Sequence, residues 1–344
     1  MNAAVEARPE RSQDPVLEVR DLRVTFRSEA GRVRAVRGVS FTLAAGRTLG
    51  IVGESGSGKS ATALAIMGLL PATALIEGSA RIGGRELVGL DDGAFSAIRG
   101  RDIGMVFQDP LSALTPVLSI GQQLAEGLDA HQELSRERVR ARSIELLDLV
   151  GIPDPAARLK SYPHELSGGM RQRVMIAIAI ANRPRLIIAD EPTTALDVTI
   201  QAQILDLMRE LQDRLGAAIV LITHDLGVVA ENADRVVVMY AGRKVEEASA
   251  KALFESPAHP YTIGLMGSIP NLEVAAHANA RRVRLTEIKG MVPSLADLPK
   301  GCTFAPRCGF ATDQCRADYP PFVQHRPGHW ISCWHAERLL GGAA

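Results

Sequence analysis

The chain is 344 residues long, enough for two domains, and its 46% hydrophobic content supplies packed cores. Lysine plus arginine equals aspartate plus glutamate at 39 each, so no global basic field gathers nucleic acid. Met1 to Pro15 lacks the apolar stretch of a secretory signal, and no run reaches the roughly 18–20 apolar residues of a membrane helix, so a chain soluble on its own is expected.

In chain order, residues 1–15 are expected to be a flexible lead-in. Leu17–Arg23 and Val33–Leu43 alternate apolar and polar residues about a turn at Gly31, which predicts an antiparallel β subdomain. Thr48–Val52 is a short buried strand running into a glycine-rich loop, and Ser60–Leu70 is the helix behind it, stopped by Pro71. Arg81–Leu87 predicts a hairpin around Gly83-Gly84, and Ile103–Phe107 a core strand leading to Gln108-Asp109-Pro110. From Ile120 to Val150 the periodicity is helical, with Ile144, Leu147 and Val150 on one face. Helices are then predicted at Arg171–Ala181 and Thr199–Leu215, and strands at Leu186–Ala189 and Ala218–Thr223, before a closing hairpin around Gly242. Strands alternating with helices imply a mostly parallel α/β sheet. Beyond about residue 250 the pattern is proline-rich and irregular, and a second small domain is expected.

The residues that carry chemistry sit at the junctions. Gly53, Glu54, Ser55, Gly56, Ser57, Gly58, Lys59 and Ser60 fit G-x-x-x-x-G-K-[ST] at every position, between a strand and a helix. Such a loop turns backbone N–H groups inward around phosphates, with Lys59 reaching the β and γ groups and the Ser60 hydroxyl on Mg²⁺. Asp190 and Glu191 end an apolar strand, where one acid can hold Mg²⁺ through water and the other orient the attacking water. Two adjacent acids before Thr193 and Thr194 also suit plain helix capping. Ser167-Gly168-Gly169 opens a helix whose N-terminus attracts anions, although serine and glycines start many ordinary helices. His224 follows the last core strand, a place that also suits a capping or core histidine.

These strings resemble, in order and spacing, the ABC ATPases. Leu166-Ser167-Gly168-Gly169-Met170 followed by Arg171-Gln172-Arg173 looks like the signature, Leu186 to Asp197 like the Walker B and D-loop, and Thr223-His224-Asp225 like the H-loop. The resemblance covers residues 16–250. It implies a RecA-like parallel core, an antiparallel β subdomain and a helical subdomain at about 109–165, followed by a small irregular cysteine-bearing region over 251–344. It implies a head-to-tail dimer with ATP between the Walker A of one cassette and Leu166–Met170 of the other. Glu191 then matches the catalytic glutamate, His224 the γ-phosphate switch, and Asp197 the D-loop acid facing the partner. Gln108 is the Q-loop glutamine, sharing Mg²⁺ with Ser60 and Asp190, while Ala61 completes the ATP-binding set. Phe26 is the candidate for stacking on adenine.

A narrower resemblance lies outside these motifs. The serine-rich P-loop, the long first loop Arg27–Val36, the segment Phe107 to Pro116 and Ser256 to Thr262 are together similar to ATPases of oligopeptide, dipeptide and nickel importers, D-type subunit. That implies an F-type sister cassette, two permease subunits, an extracytoplasmic solute-binding protein and peripheral attachment at the cytoplasmic face of the inner or plasma membrane, with no nucleic-acid role. Peptide is the expected solute; nickel, glutathione or sugars remain alternatives, as does a soluble non-transport ABC ATPase.

Cys302, Cys308, Cys315 and Cys333 follow C-x5-C-x6-C-x17-C in a segment with a meagre core, which points to a metal staple. The long gaps lack a zinc knuckle and let a wrapping loop reach the corners of a [4Fe–4S] cluster. Zinc, with help from His325, His329 or His335, and free or paired thiols are the alternatives. The cysteine-bearing extensions of D-type importer ATPases are similar.

Overall fold

The computed structural model describes residues 15–28, 31–194, 196–268 and 288–341, so most of the expected flexible lead-in lies outside the described residues; Pro15 already belongs to a strand. Two sheets carry the fold. The smaller, in the order β2-β1-β4-β5, is antiparallel and is built from β1 (Pro15–Ser28), β2 (Gly31–Ala44), β4 (Ala74–Ile82) and β5 (Arg85–Glu86). Of the long first loop expected at Arg27–Val36, the described residues 27–28 and 31–36 are strand, and residues 29–30 lie outside the described residues. Strands β1 and β2 stay paired out to Ser28↔Gly31, with Phe26 opposite Val33 and, across a register shift, Val24 opposite Val36.

The larger sheet has eight strands in the order β11-β12-β10-β9-β3-β8-β7-β6. Five of them run parallel: β3 (Thr48–Val52), β6 (Ile103–Val106), β7 (Leu186–Asp190), β8 (Ala218–Thr223) and β9 (Arg235–Tyr240). Strands β3, β6, β7 and β8 are buried throughout, as expected of strands covered on both faces. One apolar cluster fills the space between the two sheets, joining Leu17, Val39 and Phe41 to Ile51, Ile188 and Val220. Another packs helices Ile120–Asp129, Arg136–Leu149 and Gly168–Ile180 against β6 and β7. Helix Arg136–Leu149 buries Val139, Ser143, Leu146 and Leu147, with Val150 buried just past its end, so Leu147 and Val150 of the expected face lie inside and Ile144 is half-buried. The helix after the glycine-rich loop ends at Ile66 rather than Leu70; Gly68 N–H caps back to the Ala65 carbonyl.

The last third is stitched into this sheet. Strand β10 (Arg243–Ser249) turns back on β9, and β12 (His329–Ile331) adds to it through Glu246↔Ile331 and Glu247↔Trp330, with β11 (Val323–Arg326) outside. Helix Pro260–Gly267 and the Phe304 ring join β9 and β10 in a third apolar cluster. Its centre is an aromatic set in which the Tyr240 and Tyr261 ring centroids stand 4.6 Å apart and Tyr240 and Phe304 5.3 Å apart.

Candidate functional site

Parallel strands deliver their carboxyl ends to one edge, so the loops after β3, β6, β7 and β8 meet there. They line an open cleft of about 780 Å³ containing Gly53 to Ala61, Gln108, Glu191, Thr194 and His224. The loop after β3 wraps back on itself, Ser57 N–H bonding the Glu54 carbonyl, and is buttressed from behind by Gly242 N–H on the Ser57 carbonyl. Two of its glycines are dictated by close approach. A Cβ on Gly53 (φ +151°) would sit 2.2 Å from the Met239 carbonyl oxygen, and one on Gly58 (φ +100°) 2.4 Å from that of Ala35. Helix Lys59–Ile66 then points its uncapped N-terminus and positive dipole end at the cleft.

Lys59 is buried, its ammonium donating to the Gly53 and Glu54 carbonyls at 2.7 and 3.1 Å, and burial pulls its pKa down. Asp190 is buried too; its carboxylate accepts the Ser60 hydroxyl at 3.1 Å, and burial pushes it above the usual carboxylate range. A hydroxyl and a desolvated carboxylate side by side form a hard oxygen donor set that fits Mg²⁺, whose charge would favour the ionised acid.

One carboxylate oxygen gathers the rest. Glu191 Oε2 accepts the Gln108 amide at 3.2 Å and the Thr194 hydroxyl at 2.9 Å, and stands 3.3 Å from His224 Nδ1. Three strand ends thus converge on a single acid. Glu191 sits at φ +48°, in the left-handed region that non-glycine residues seldom adopt, with its N–H on the Ile222 carbonyl. Such strain persists where surrounding structure enforces it, and here it aims the side chain into the cleft.

Other expected residues stand elsewhere. Leu166 is buried, whereas Ser167 and Gly168 are exposed; the Ser167 hydroxyl caps its helix by accepting Met170 N–H, and Gly169 lies against Ile200. Asp197 likewise caps helix Val198–Leu215 through Ile200 N–H. None of Leu166 to Met170 nor Asp197 lines the cleft. Phe26 is partly buried against the intersheet core, and Ala35 is the β2 residue that reaches the cleft. Thr194, Leu265 and Leu295 line it without having been expected; the last two come from beyond residue 250, and no local pattern marks them.

The four thiols are free and mutually close: every pair lies within electrostatic reach. Burial raises Cys302 and Cys308 and pushes Cys333 up to about 12. Backbone N–H groups of Phe310 and His335 point at the Cys308 and Cys333 sulfurs, each at 3.4 Å. The expected metal staple is not met at single-ion spacing, for among the described residues no three His, Cys, Asp or Glu side chains stand close enough to hold one ion. Of the three histidines considered for zinc, His335 lies 3.5 Å from the Cys315 sulfur, whereas His329 is turned away into a buried pair with Glu246 at 2.7 Å. His325 Nε2 is buried with no hydrogen-bond partner.

Known proteins share this architecture. Residues 36–194 match the family model described as ABC transporter, and residues 245–315 that of the oligopeptide/dipeptide transporter C-terminal region. "Oligopeptide transport ATP-binding protein OppD" of Haemophilus influenzae is 51% identical over 321 residues, 93% of this chain and 97% of that protein. A protein of the same name from Mycobacterium tuberculosis is 53% identical over 331 residues, 96% of this chain; the chain spans only 53% of that relative's length. The solved dimer of the ATP-binding cassette MJ0796 bound to ADP and Pi is similar with a TM-score of 0.62 at 30% identity, covering 68% of this chain and 98% of that one. Among the described residues no helix is long and apolar enough to cross a membrane.

Proposed function

We propose, because this chain belongs to the ABC transporter family of ATPases, that it binds and hydrolyses Mg²⁺–ATP to energise uptake of oligopeptides or dipeptides through partner permeases. The convergence of Gln108, Thr194 and His224 on the Glu191 carboxylate, at the mouth of the phosphate loop, carries this reading. Lys59 and the loop N–H groups bind the triphosphate; Ser60, Gln108 and Asp190 hold the Mg²⁺ that shields it. Glu191 orients the attacking water and takes its proton, and His224 contacts the γ-phosphate. Phe26, packed against the intersheet core and outside the cleft lining, would have to swing outward to stack on adenine.

The exposed signature start at Ser167 and Gly168, away from the cleft in this chain, supports a head-to-tail pair in which a second cassette, an F-type homologue, supplies that anion site in trans. Val198, 83% exposed beside Asp197, suits the same interface. Leu111 and Val117, exposed in the segment after Gln108, suit a groove for one of two permeases at the cytoplasmic face of the membrane; an extracytoplasmic binding protein would deliver the peptide.

At the four cysteines the finer reading is a [4Fe–4S] cluster. A single zinc draws its sulfurs to about 4 Å of one another, whereas a cluster spreads them wider and favours N–H···S bonds of the kind at Cys308 and Cys333. Zinc without iron in anaerobically purified protein removes that reading.

Glu191→Gln tests the ATPase assignment. It is expected to bind ATP, to lose turnover by about 10²–10⁴-fold, and to accumulate the closed cassette pair. Near-normal phosphate release would show the base is misassigned. Co-purification with two multi-span proteins and a sister cassette tests the importer assembly.

A further inference from the structure

Beyond the cleft, the phosphate loop has a second set of partners, all from residue 240 onward. The Glu54 carboxylate is gripped by Arg307 in a two-bond fork, Nη1–Oε2 2.7 Å and Nη2–Oε1 3.0 Å, and the Arg307 side chain is only 5% exposed. The Glu54 backbone N–H donates to the Tyr261 hydroxyl at 2.7 Å, and Tyr261 is buried. Arg307 is itself aimed: it donates to the Lys289 carbonyl at 3.1 Å and to the Tyr240 hydroxyl at 3.4 Å. Glu54 thus faces two ways, since it lines the cleft and its carbonyl holds the Lys59 ammonium.

A carboxylate inside a loop that must receive a polyanion is a liability, because like charges a few ångströms apart repel strongly in a partly desolvated cleft. A planar guanidinium bound through two parallel N–H···O bonds neutralises that charge and holds it in one geometry. The tyrosine hydroxyl occupies the one N–H of Glu54, which fixes how the peptide plane turns and so which loop donors are left facing inward. A salt bridge on an exposed surface would carry little weight; this one is shielded on the arginine side and sits against the site itself.

The geometry points to Arg307 and Tyr261 as positioning residues for nucleotide, acting through Glu54, so that the C-terminal region sets the affinity of the phosphate loop for Mg²⁺–ATP. This rests on the ATP reading of the cleft. The C-terminal region is then part of the nucleotide site, and movement of the stretch holding Arg307 would uncover the Glu54 charge and expel nucleotide.

The test is titration of the full chain with Mg²⁺–ATP. Arg307→Gln is expected to weaken binding about tenfold, with the loss shrinking as salt rises because an unpaired charge is its cause. Adding Glu54→Gln to that variant is expected to restore binding to within about threefold of wild type, since no charge then needs a partner. An arginine that merely held the fold together would not be rescued this way, so absence of rescue overturns the proposal. If Arg307→Gln does not fold, Glu54→Gln alone decides: it frees the guanidinium beside the phosphates, so tighter binding is expected and weaker binding overturns the proposal. Wild-type chain that fails to bind Mg²⁺–ATP would sink the ATP reading and the clamp with it; wild type that binds while Arg307→Gln binds equally well sinks the clamp alone.

Discussion

The two ends of the eight-stranded sheet are held by different means. From β6 to β9 the strands run parallel, are buried except at Arg235 where β9 begins, and owe their order to apolar contact; polar side chains appear only at strand ends. From β10 to β11 they run antiparallel, β12 is three residues long and β11 four, and the join depends on buried polar groups. Glu246 is the chief of these. It is wholly buried and accepts Ala258 N–H, His259 N–H and His329 Nε2 at 2.8, 3.0 and 2.7 Å. The contrast teaches where each region is fragile: the parallel end tolerates no added atom at Gly50, Gly53, Gly58 or Gly104, and the antiparallel end tolerates no unpaired charge.

The parallel end breaks most severely at Gly53. Gly53→Ala drives a Cβ to 2.2 Å from the Met239 carbonyl and demands a backbone angle that alanine resists. We expect a loss of about 4 kcal/mol or more in urea unfolding, together with loss of ATP binding. At the antiparallel end the matching experiment is Glu246→Ala, which strands two N–H groups and an imidazole in the interior. An expected cost of about 3 kcal/mol, read by denaturant midpoint, is to be accompanied by faster proteolysis beyond residue 250 while β3 to β8 stay protected from hydrogen exchange.

This division also explains what could be read from residues alone. Strands β3 and β8 were legible to their end residues, Thr48–Val52 and Ala218–Thr223, because a continuous apolar run between glycine, arginine or aspartate punctuation is a local signal. The phosphate loop, Asp190, Glu191 and His224 were legible for the same reason: each sits where such a run stops. Strands β11 and β12 were not, being too short to show alternation. Nothing beside Glu246 announces a partner 83 residues away, nor beside Glu54 one 253 residues away. The Ser256 to Thr262 string shows a family resemblance, yet the contact of Tyr261 with the phosphate loop exists only in three dimensions.

Acid sharpens the comparison next. Burial holds His259 at a pKa of about 4, against an ordinary 6.5, and its Nδ1 accepts Tyr261 N–H. The unfolded chain takes up a proton below about pH 6.5 that the folded chain refuses until about pH 4, so stability is intact above that window and falls as pH drops through it. The full loss is about 3 kcal/mol. Denaturant midpoints measured from pH 7.5 to 4.5 are expected to show this slope, and His259→Asn, which can still cap Tyr261, should flatten it. An unchanged slope would show that His259 is not its source.

The smallest effect separates a structural from an intermolecular duty at one residue. Asp197 caps helix Val198–Leu215, accepting Ile200 N–H at 2.9 Å, so Asp197→Ala is expected to cost about 1 kcal/mol in the isolated chain. Asparagine caps as well as aspartate, so Asp197→Asn is expected to unfold within about 0.3 kcal/mol of wild type. Yet it deletes the charge that the proposed cassette pair would present to its neighbour. If Asp197 does nothing more than cap, the asparagine variant hydrolyses ATP normally in the assembled complex. If it faces a second nucleotide site, turnover falls in that complex while stability stays put, and the deficit is absent from single-chain ATP binding.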